Sequence, residues 1–109
     1  MRTAYVCAPL AGDIKKNISN AKKFGKFLFN RGMAPVIPHI YAEILDDNDP
    51  YDRKLGMNAD KSLLFKCDEV WVFGDKMTKG MKDEIHFAKM LGLKIIQIKD
   101  KVLKEMEVI

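Results

Sequence analysis

Few cysteines and no long apolar segment occur in this 109-residue sequence, and each shortage excludes a class of protein. The two cysteines, Cys7 and Cys67, have apolar neighbours, which suits reduced thiols better than a disulfide framework. No run approaches the ~20 apolar residues of a membrane helix. We expect no signal peptide, because Arg2 leads into a short mixed strand. The prediction is one soluble, cytoplasmic domain over residues 1–109.

Acidic residues are outnumbered, since 15 aspartates and glutamates face 19 lysines and arginines, which leaves a formal net charge of +4. A modest positive balance favours anionic partners such as nucleotides. Much of it comes from five lysines on one predicted helix: Lys15, Lys16, Lys22, Lys23 and Lys26. Such a face is usually a solvated helix surface, and a nucleic-acid patch is the alternative that we favour less.

Strand and helix patterns alternate along the chain. Strands are predicted at Thr3–Ala8, Met33–Ile37, Glu69–Phe73 and Lys94–Ile98. Helices are predicted from Ile14 to about Asn30, from about Tyr51 to Lys66, from Gly80 or Met81 to Leu91, and briefly within Lys99–Ile109. In the second helix, Leu55, Ala59, Ser62 and Leu63 are expected to face the core.

This alternation predicts an α/β fold with parallel strands and right-handed crossovers. We expect a three-layer α/β/α sandwich of the flavodoxin or Rossmann type, with four or five parallel strands in the order 2-1-3-4. Ligands of such folds bind beyond the carboxyl ends of the strands. Three predicted loops meet there: Cys7–Asp13, Ile37–Pro50 and Gly74–Gly80.

Glu84, near the start of the last long helix, is the best catalytic candidate. Gly80 before it allows the backbone to approach a ligand closely. The free N–H groups and partial positive charge of the helix N-terminus stabilise a carboxylate in the first turn. Ordinary helix capping by Asp83 and Glu84 explains the same pattern.

Weaker candidates lie elsewhere in the chain. Asp60 sits in mid-helix, where a solvent-facing carboxylate is the common case. Tyr5 and Cys7 share one side of the first strand, Tyr5 as a core or a site residue and Cys7 as a nucleophile without a partner histidine. His39 and His86 have no metal-ligand spacing with the cysteines, and no Walker or dinucleotide motif occurs. We therefore expect no metal and no cofactor.

Four segments resemble the nucleoside 2-deoxyribosyltransferase superfamily, which includes the 2′-deoxynucleoside 5′-phosphate N-hydrolases. They are Thr3–Pro9, Asn58–Asp60, Cys67–Gly74 and Gly80–Ala88. The last is the most specific, because the family often has a glycine four residues before a glutamate, then an apolar residue and an alanine. A branch of uncharacterised bacterial and phage domains is more similar, through Pro38-His39, Leu45–Asp47 and Trp71–Gly74.

The resemblance implies one nucleoside deoxyribosyltransferase-like domain that acts on N-glycosidic bonds. Glu84 takes the position of the nucleophile that attacks the anomeric carbon, and Tyr5 that of the tyrosine that orients it. Asp60 takes the position of an aspartate that contacts the nucleobase or assists its departure. This is retaining glycoside chemistry. A second base as acceptor makes the enzyme a transferase, and water makes it a hydrolase.

One position departs from the transferase pattern. Thr78 stands where the transferases carry an acid, six residues before Glu84. The phosphate-specific hydrolases use a hydroxyl residue there for the 5′-phosphate, and Thr78 with Lys79 would serve likewise. The implied ligand is a nucleoside or nucleoside monophosphate. The candidate substrate-binding residues are Cys7, Pro9, Gly12, Asp13, His39, Gly74, Asp75, Thr78, Gly80 and Met81.

Two other functions stay open at this point. One is a nucleotide-binding module without turnover, which Thr78 favours, and the other is a nucleic-acid or protein adaptor that uses the lysine-rich helix. We also expect a homodimer or higher homo-oligomer, because a narrow sheet exposes an edge and relatives complete their sites with neighbouring subunits.

Overall fold

A computed structural model describes all residues, 1–109. The strands are β1 (Thr3–Cys7), β2 (Ala34–Val36), β3 (Glu69–Phe73) and β4 (Lys94–Ile98). The helices are α1 (Ile14–Asn30), α2 (Pro50–Lys66), α3 (Lys79–Met90) and α4 (Asp100–Glu105), and a 3₁₀ helix spans Pro38–Glu43. The strands pair in parallel in the order β2-β1-β3-β4. The predicted fold class and strand order are confirmed, with four strands and no fifth.

Side chains alternate across the sheet, and this alternation builds two cores. In β1, Ala4 and Val6 point to the layer of α1 and α4, whereas Tyr5 and Cys7 point to the layer of α2 and α3. Helices cover both faces because an all-parallel sheet is buried on both sides. On the α1 and α4 side of the sheet, the ring of Phe24 stacks on the ring of Phe73 in β3, and 4.4 Å separates the two ring centroids.

The segment after β2 forms more structure than the sequence predicted. The predicted loop contains the 3₁₀ helix, which begins at Pro38, where the fixed proline φ suits the first helical position. Asp49 then caps α2, since its carboxylate accepts hydrogen bonds from the backbone N–H groups of Tyr51 and Asp52. These two short-range features bring the chain back over the carboxyl ends of the strands.

The predicted core face of α2 is wrong in part. Leu64 is the one fully buried residue of this helix, whereas Leu55 is 42% exposed and Ser62 is exposed as well. The N-terminal half of α2 packs against the 3₁₀ helix, and the helix also contacts α3. The helix therefore turns another side, which carries Asp60, toward the space at the end of the sheet.

None of the helices combines the length and the hydropathy that crossing a bilayer requires.

Candidate functional site

A cavity lies at the carboxyl ends of the strands on the α2 and α3 side of the sheet. It measures about 120 Å³ and opens to solvent. Five segments line it: the turn after β1, the 3₁₀ helix, the loop that follows it, one side of α2 and the first turns of α3. This is the place where ligands of open α/β sheets bind. We call it the main cavity.

Glu84 projects into the main cavity from α3, and two side chains of β1 hold it from below. Its Oε2 accepts a hydrogen bond from the phenol of Tyr5. Its Oε1 lies 3.7 Å from Sγ of Cys7, whose thiol donates to it. Tyr5 and Cys7 are fully buried, and neither lines the main cavity. Both contact the glutamate from beneath. The sequence interpretation of Cys7 as a substrate-binding candidate differs from this placement beneath the glutamate.

Burial is the main influence on the protonation of the Glu84 carboxyl group. Burial raises the pKa of Glu84 to about 7, while the hydrogen bonds from Tyr5 and Cys7 act in the opposite direction. Burial also raises the pKa of Tyr5 well above its usual value, and the negative charge of Glu84 adds to the effect. The same two causes raise the pKa of the Cys7 thiol. Both groups therefore stay protonated at neutral pH and act as hydrogen-bond donors to the carboxylate.

Asp60 faces the same cavity from α2. Burial is the main cause that raises the pKa of Asp60 to about 8, and the charges of Glu84 and Asp47 contribute to this shift in the same direction. Because the charge of Glu84 is one cause of the Asp60 shift, the ionisation of one carboxyl group opposes the ionisation of the other. Two carboxyl groups with separated pKa values are the usual basis of an acid and a nucleophile in one site.

His39 connects the 3₁₀ helix to the turn after β1. Its Nε2 lies 3.0 Å from the carbonyl oxygen of Ala8 and 3.2 Å from that of Pro9. Because carbonyl oxygens only accept, Nε2 carries the proton, and the buried Nδ1 has no partner. Burial lowers the pKa of His39, so the imidazole is neutral. The neutral His39 side chain lines the main cavity and holds the 3₁₀ helix against the turn after β1.

The start of α3 supplies hydrogen-bond donors to the cavity. Thr78 is the N-cap residue, and its Oγ1 accepts a hydrogen bond of 3.2 Å from the N–H of Met81. Its own hydroxyl proton remains available to a ligand. A Cβ on Gly80 would find no protein atom nearer than Oγ1 of Thr78 at 4.0 Å, so packing does not require glycine here. Thr78, Gly80 and Met81 all line the main cavity, and their role in substrate binding stays a prediction.

The remaining predicted residues lie elsewhere. Pro9 and Gly74 line a second cavity on the opposite face of the sheet. Gly12, Asp13 and Asp75 line neither cavity. Asp13 caps α1 by accepting from the N–H of Lys16. The Asp75 carboxylate accepts from the N–H of Asp100, so it fastens the loop after β3 to the loop after β4.

One side of α2 contributes residues that the sequence analysis did not assign to the site, among them Gly56, Met57 and Lys61. It carries Arg53, Gly56, Met57, Asp60 and Lys61, which all line the main cavity. Their spacing of three, four, seven and eight residues is the signature of one helical face, and it would have identified them as a group. Arg53 is held by an ion pair of 3.1 Å with Asp47.

Comparison with known proteins gives one family and two structural neighbours. A family model described as Domain of unknown function (DUF7768) matches residues 2–98. The CMP N-glycosidase BcmB of Clostridium botulinum superposes with a TM-score of 0.55 at 19% identity, over 90% of this chain and 69% of that chain. The 2-desoxiribosyltransferase from Leishmania mexicana superposes with a TM-score of 0.60 at 15% identity, over 91% of this chain and 65% of that chain.

The likeness to these two structures confirms the sequence resemblance at the level of the fold. The chain spans about two thirds of the length of each neighbour, given coverages of 69% and 65%. No curated protein matches it significantly.

Proposed function

We infer the function of a chain that belongs to the DUF7768 family, a domain of unknown function, and that has the nucleoside 2-deoxyribosyltransferase-like fold. We propose that it breaks the N-glycosidic bond of a nucleoside or a nucleoside 5′-monophosphate. One structural neighbour is named a CMP N-glycosidase and the other a 2-desoxiribosyltransferase. Both names describe the cleavage or transfer of a sugar, which supports the proposal. The observation that carries the proposal is the Glu84 carboxyl group held by Tyr5 under an open cavity.

In this proposal Glu84 is the nucleophile. Tyr5 fixes Oε2 with a hydrogen bond, and Cys7 contacts Oε1 only through a long thiol contact of 3.7 Å. A thiol is a weak donor, so Oε1 keeps more of its electron density than Oε2 does. Oε1 is therefore the oxygen that attacks the anomeric carbon.

Asp60 is the proton donor of the first step. The pKa of Asp60 is raised to about 8, in part by the charge of Glu84, so an ionised Glu84 favours a protonated Asp60. A general acid works best when its pKa lies near the working pH. This separation supports the assignment of different roles to two carboxyl groups in one cavity.

The reaction proceeds in two displacements. Oε1 of Glu84 forms a bond to the anomeric carbon, and the bond from that carbon to the base nitrogen breaks with its electron pair on the base. The proton of Asp60 neutralises the departing base, which leaves a glycosyl ester on Glu84. A water molecule or a second base then attacks the same carbon, gives a proton to the Asp60 carboxylate and releases Glu84, so the configuration is retained.

Recognition of a 5′-phosphate fits the start of α3. Thr78, whose hydroxyl proton has no acceptor within the protein, and Gly80 in the first turn of α3 both line the main cavity, and a helix N-terminus favours an anion. On the facing helix Lys61 adds a positive charge, and Arg53 adds one that its ion pair with Asp47 partly balances. We propose a nucleoside monophosphate over a free nucleoside for this reason.

Base release from a panel of nucleosides and their 5′-monophosphates tests the proposal. Ribose and 2′-deoxyribose compounds are compared, with a second free base present or absent to separate transfer from hydrolysis. We expect release from at least one monophosphate, and none from the Glu84→Gln protein. Equal release by the native and Glu84→Gln proteins would exclude the glutamate mechanism.

A nucleotide-binding module without turnover is the second candidate, and the threonine at position 78 favours it because the transferases have an acid there. This function predicts a rise in melting temperature with a monophosphate and no released base. Thermal shift and product analysis of the same samples therefore separate the two candidates.

A further inference from the structure

The second cavity lies at the carboxyl ends of the strands on the α1 and α4 face of the sheet. It measures about 390 Å³, within the roughly 300–1,000 Å³ of ligand sites. Four lysines line it: Lys16, Lys23, Lys76 and Lys104. They come from α1, from the loop after β3 and from α4, so three segments contribute to one space. We call this space the lysine groove.

The positive charge of the lysine groove exceeds the negative charge beside it, which comes from the side chain of Asp100 and the terminal carboxylate of Ile109. None of its four lysines belongs to the ion pairs of the protein, which join other residues. Helix α1 contains no acidic residue. Asp100 is the one acidic side chain that lines the groove, and its Oδ1 accepts the backbone N–H of Asp75 at 3.2 Å. Like charges around one concave space attract an anion more strongly than the same charges spread over a surface.

Neutral donors accompany the lysines. Asn20 is half-buried in the groove, and its side chain makes no hydrogen bond within the protein. Lys16, Asn20 and Lys23 follow each other at spacings of four and three residues, so they form one row on α1. Asn17 beside them has a different task, since its amide donates to the carbonyl oxygens of Leu10 and Ala11. The row presents two ammonium groups and a free amide to the same ligand.

The groove also occupies the switch point of the sheet. Strand order reverses between β1 and β3, and Pro9 and Gly74, which follow these strands, both line the groove. Ligands of open α/β sheets bind in this crevice. The main cavity lies at the same strand ends on the opposite face of the sheet, so the two spaces are separate.

We propose that the lysine groove is a second ligand site, which binds a compound with two or more adjacent phosphates. Two sources share this chemistry, inorganic polyphosphate and the phosphate chain of a nucleoside di- or triphosphate. A nucleic-acid strand fits less well, because the aromatic rings at the base of the groove, Phe24 and Phe73, are only 5% and 1% exposed and offer no face for base stacking. The proposal does not depend on the chemistry of the main cavity.

Calorimetric titration of the full chain with inorganic tripolyphosphate tests the site. We expect saturable binding that weakens steeply as salt rises from about 50 to 200 mM. The double variant Lys16→Glu/Lys23→Glu should weaken binding about tenfold or more. Lys76→Glu/Lys104→Glu, which alters the opposite wall, should do the same.

The matched control is Lys15→Glu/Lys26→Glu. It makes the same charge change on the same helix, at exposed lysines that do not line the groove. We expect this control to lose less than about threefold in affinity. Circular dichroism establishes that all three variants are folded. An equal loss in the control and groove variants would overturn the proposal, as would the absence of binding at millimolar tripolyphosphate.

Two further arms identify the ligand. Equal affinity for tripolyphosphate and for a nucleoside triphosphate supports recognition of the phosphates alone, and tighter binding of the nucleotide supports a nucleotide site in the groove. Single-stranded oligonucleotides whose affinity rises with length and exceeds that of tripolyphosphate would overturn the small-anion assignment. Base release is measured on the same proteins, so a failure of the proposed enzymatic function stays distinguishable from a failure of this site.

Discussion

The phenol of Tyr5 donates a hydrogen bond to Oε2 of Glu84, although 79 positions separate the two residues in the sequence. The strand that carries the tyrosine lies under the first turns of the helix that carries the glutamate. The contact fixes the position of the carboxyl group and lowers its pKa, against the larger effect of burial, which raises it.

Glu84→Gln should reduce base release at least about 1,000-fold, because an amide of the same shape cannot attack the anomeric carbon. Tyr5→Phe keeps the ring and removes the hydrogen bond, so we expect a loss of about 10- to 100-fold, mainly in kcat. Steady-state kinetics on the monophosphate that the panel identifies measures both. A Tyr5→Phe protein with unchanged kcat would show that the phenol does not orient the nucleophile.

The pH dependence of kcat/KM should be a narrow bell. Activity rises as pH passes the Glu84 pKa of about 7, since the nucleophile must be ionised, and falls above the Asp60 pKa of about 8, since the acid must be protonated. Asp60→Asn should remove the alkaline limb and lower the maximum rate about 10²- to 10⁴-fold. An alkaline limb that survives in Asp60→Asn would assign it to another group.

Stability should fall with rising pH over the same range. The folded pKa of Asp60, about 8, is above the value of an unfolded chain, so the folded protein binds more protons between pH ~4 and ~8. Folding is therefore most favourable at the acidic side of this window and loses free energy through pH 8. Asp60→Asn should be more stable than the native protein by about 1–3 kcal/mol at pH 9 and similar to it at pH 4. Chemical denaturation at both values measures the difference.

Cys7→Ala tests the thiol contact to Oε1 of Glu84. The loss of a donor to the carboxylate should move the acidic limb of the pH profile upward by about half a unit, and Cys7→Ser should restore it. Cys67→Ala is the matched control, because this second buried cysteine precedes β3 and has no contact with Glu84. Both alanine variants should lose about 1–2 kcal/mol of stability. A limb that moves equally in both would attribute the shift to general destabilisation.

Gly80→Ala should separate folding from binding. No protein atom obstructs the new methyl group, and alanine is favoured over glycine in a helix by up to about 1 kcal/mol. The melting temperature should stay level or rise, while KM rises about fivefold or more because the methyl group narrows the main cavity. Gly25→Ala is the contrast, because its Cβ would meet the side chain of Ile37 and lower stability. An unchanged KM in Gly80→Ala would place the ligand away from the start of α3.

Much of this fold was predictable because its signals are local. The period of the apolar residues identified every strand and long helix, and Gly80 with Glu84 marked the start of α3 at the ligand end of the sheet. The 3₁₀ helix at Pro38–Glu43 was missed, because proline and loop-like composition conceal a short turn of this kind. The core face of α2 was misjudged because its apolar residues do not follow one stripe.

The division between sequence and structure follows from the range of the forces. Backbone propensity, capping at Asp13, Asp49 and Thr78, and side-chain period act over a few residues, so the sequence by itself determined the order of elements and the parallel sheet. The contact of Tyr5 with Glu84 and the raised pKa values depend on chain segments far apart, which remove water from the carboxyl groups only after folding. Only the tertiary structure decided which polar residues face the main cavity and which face the lysine groove, because both spaces border the same strand ends from opposite sides.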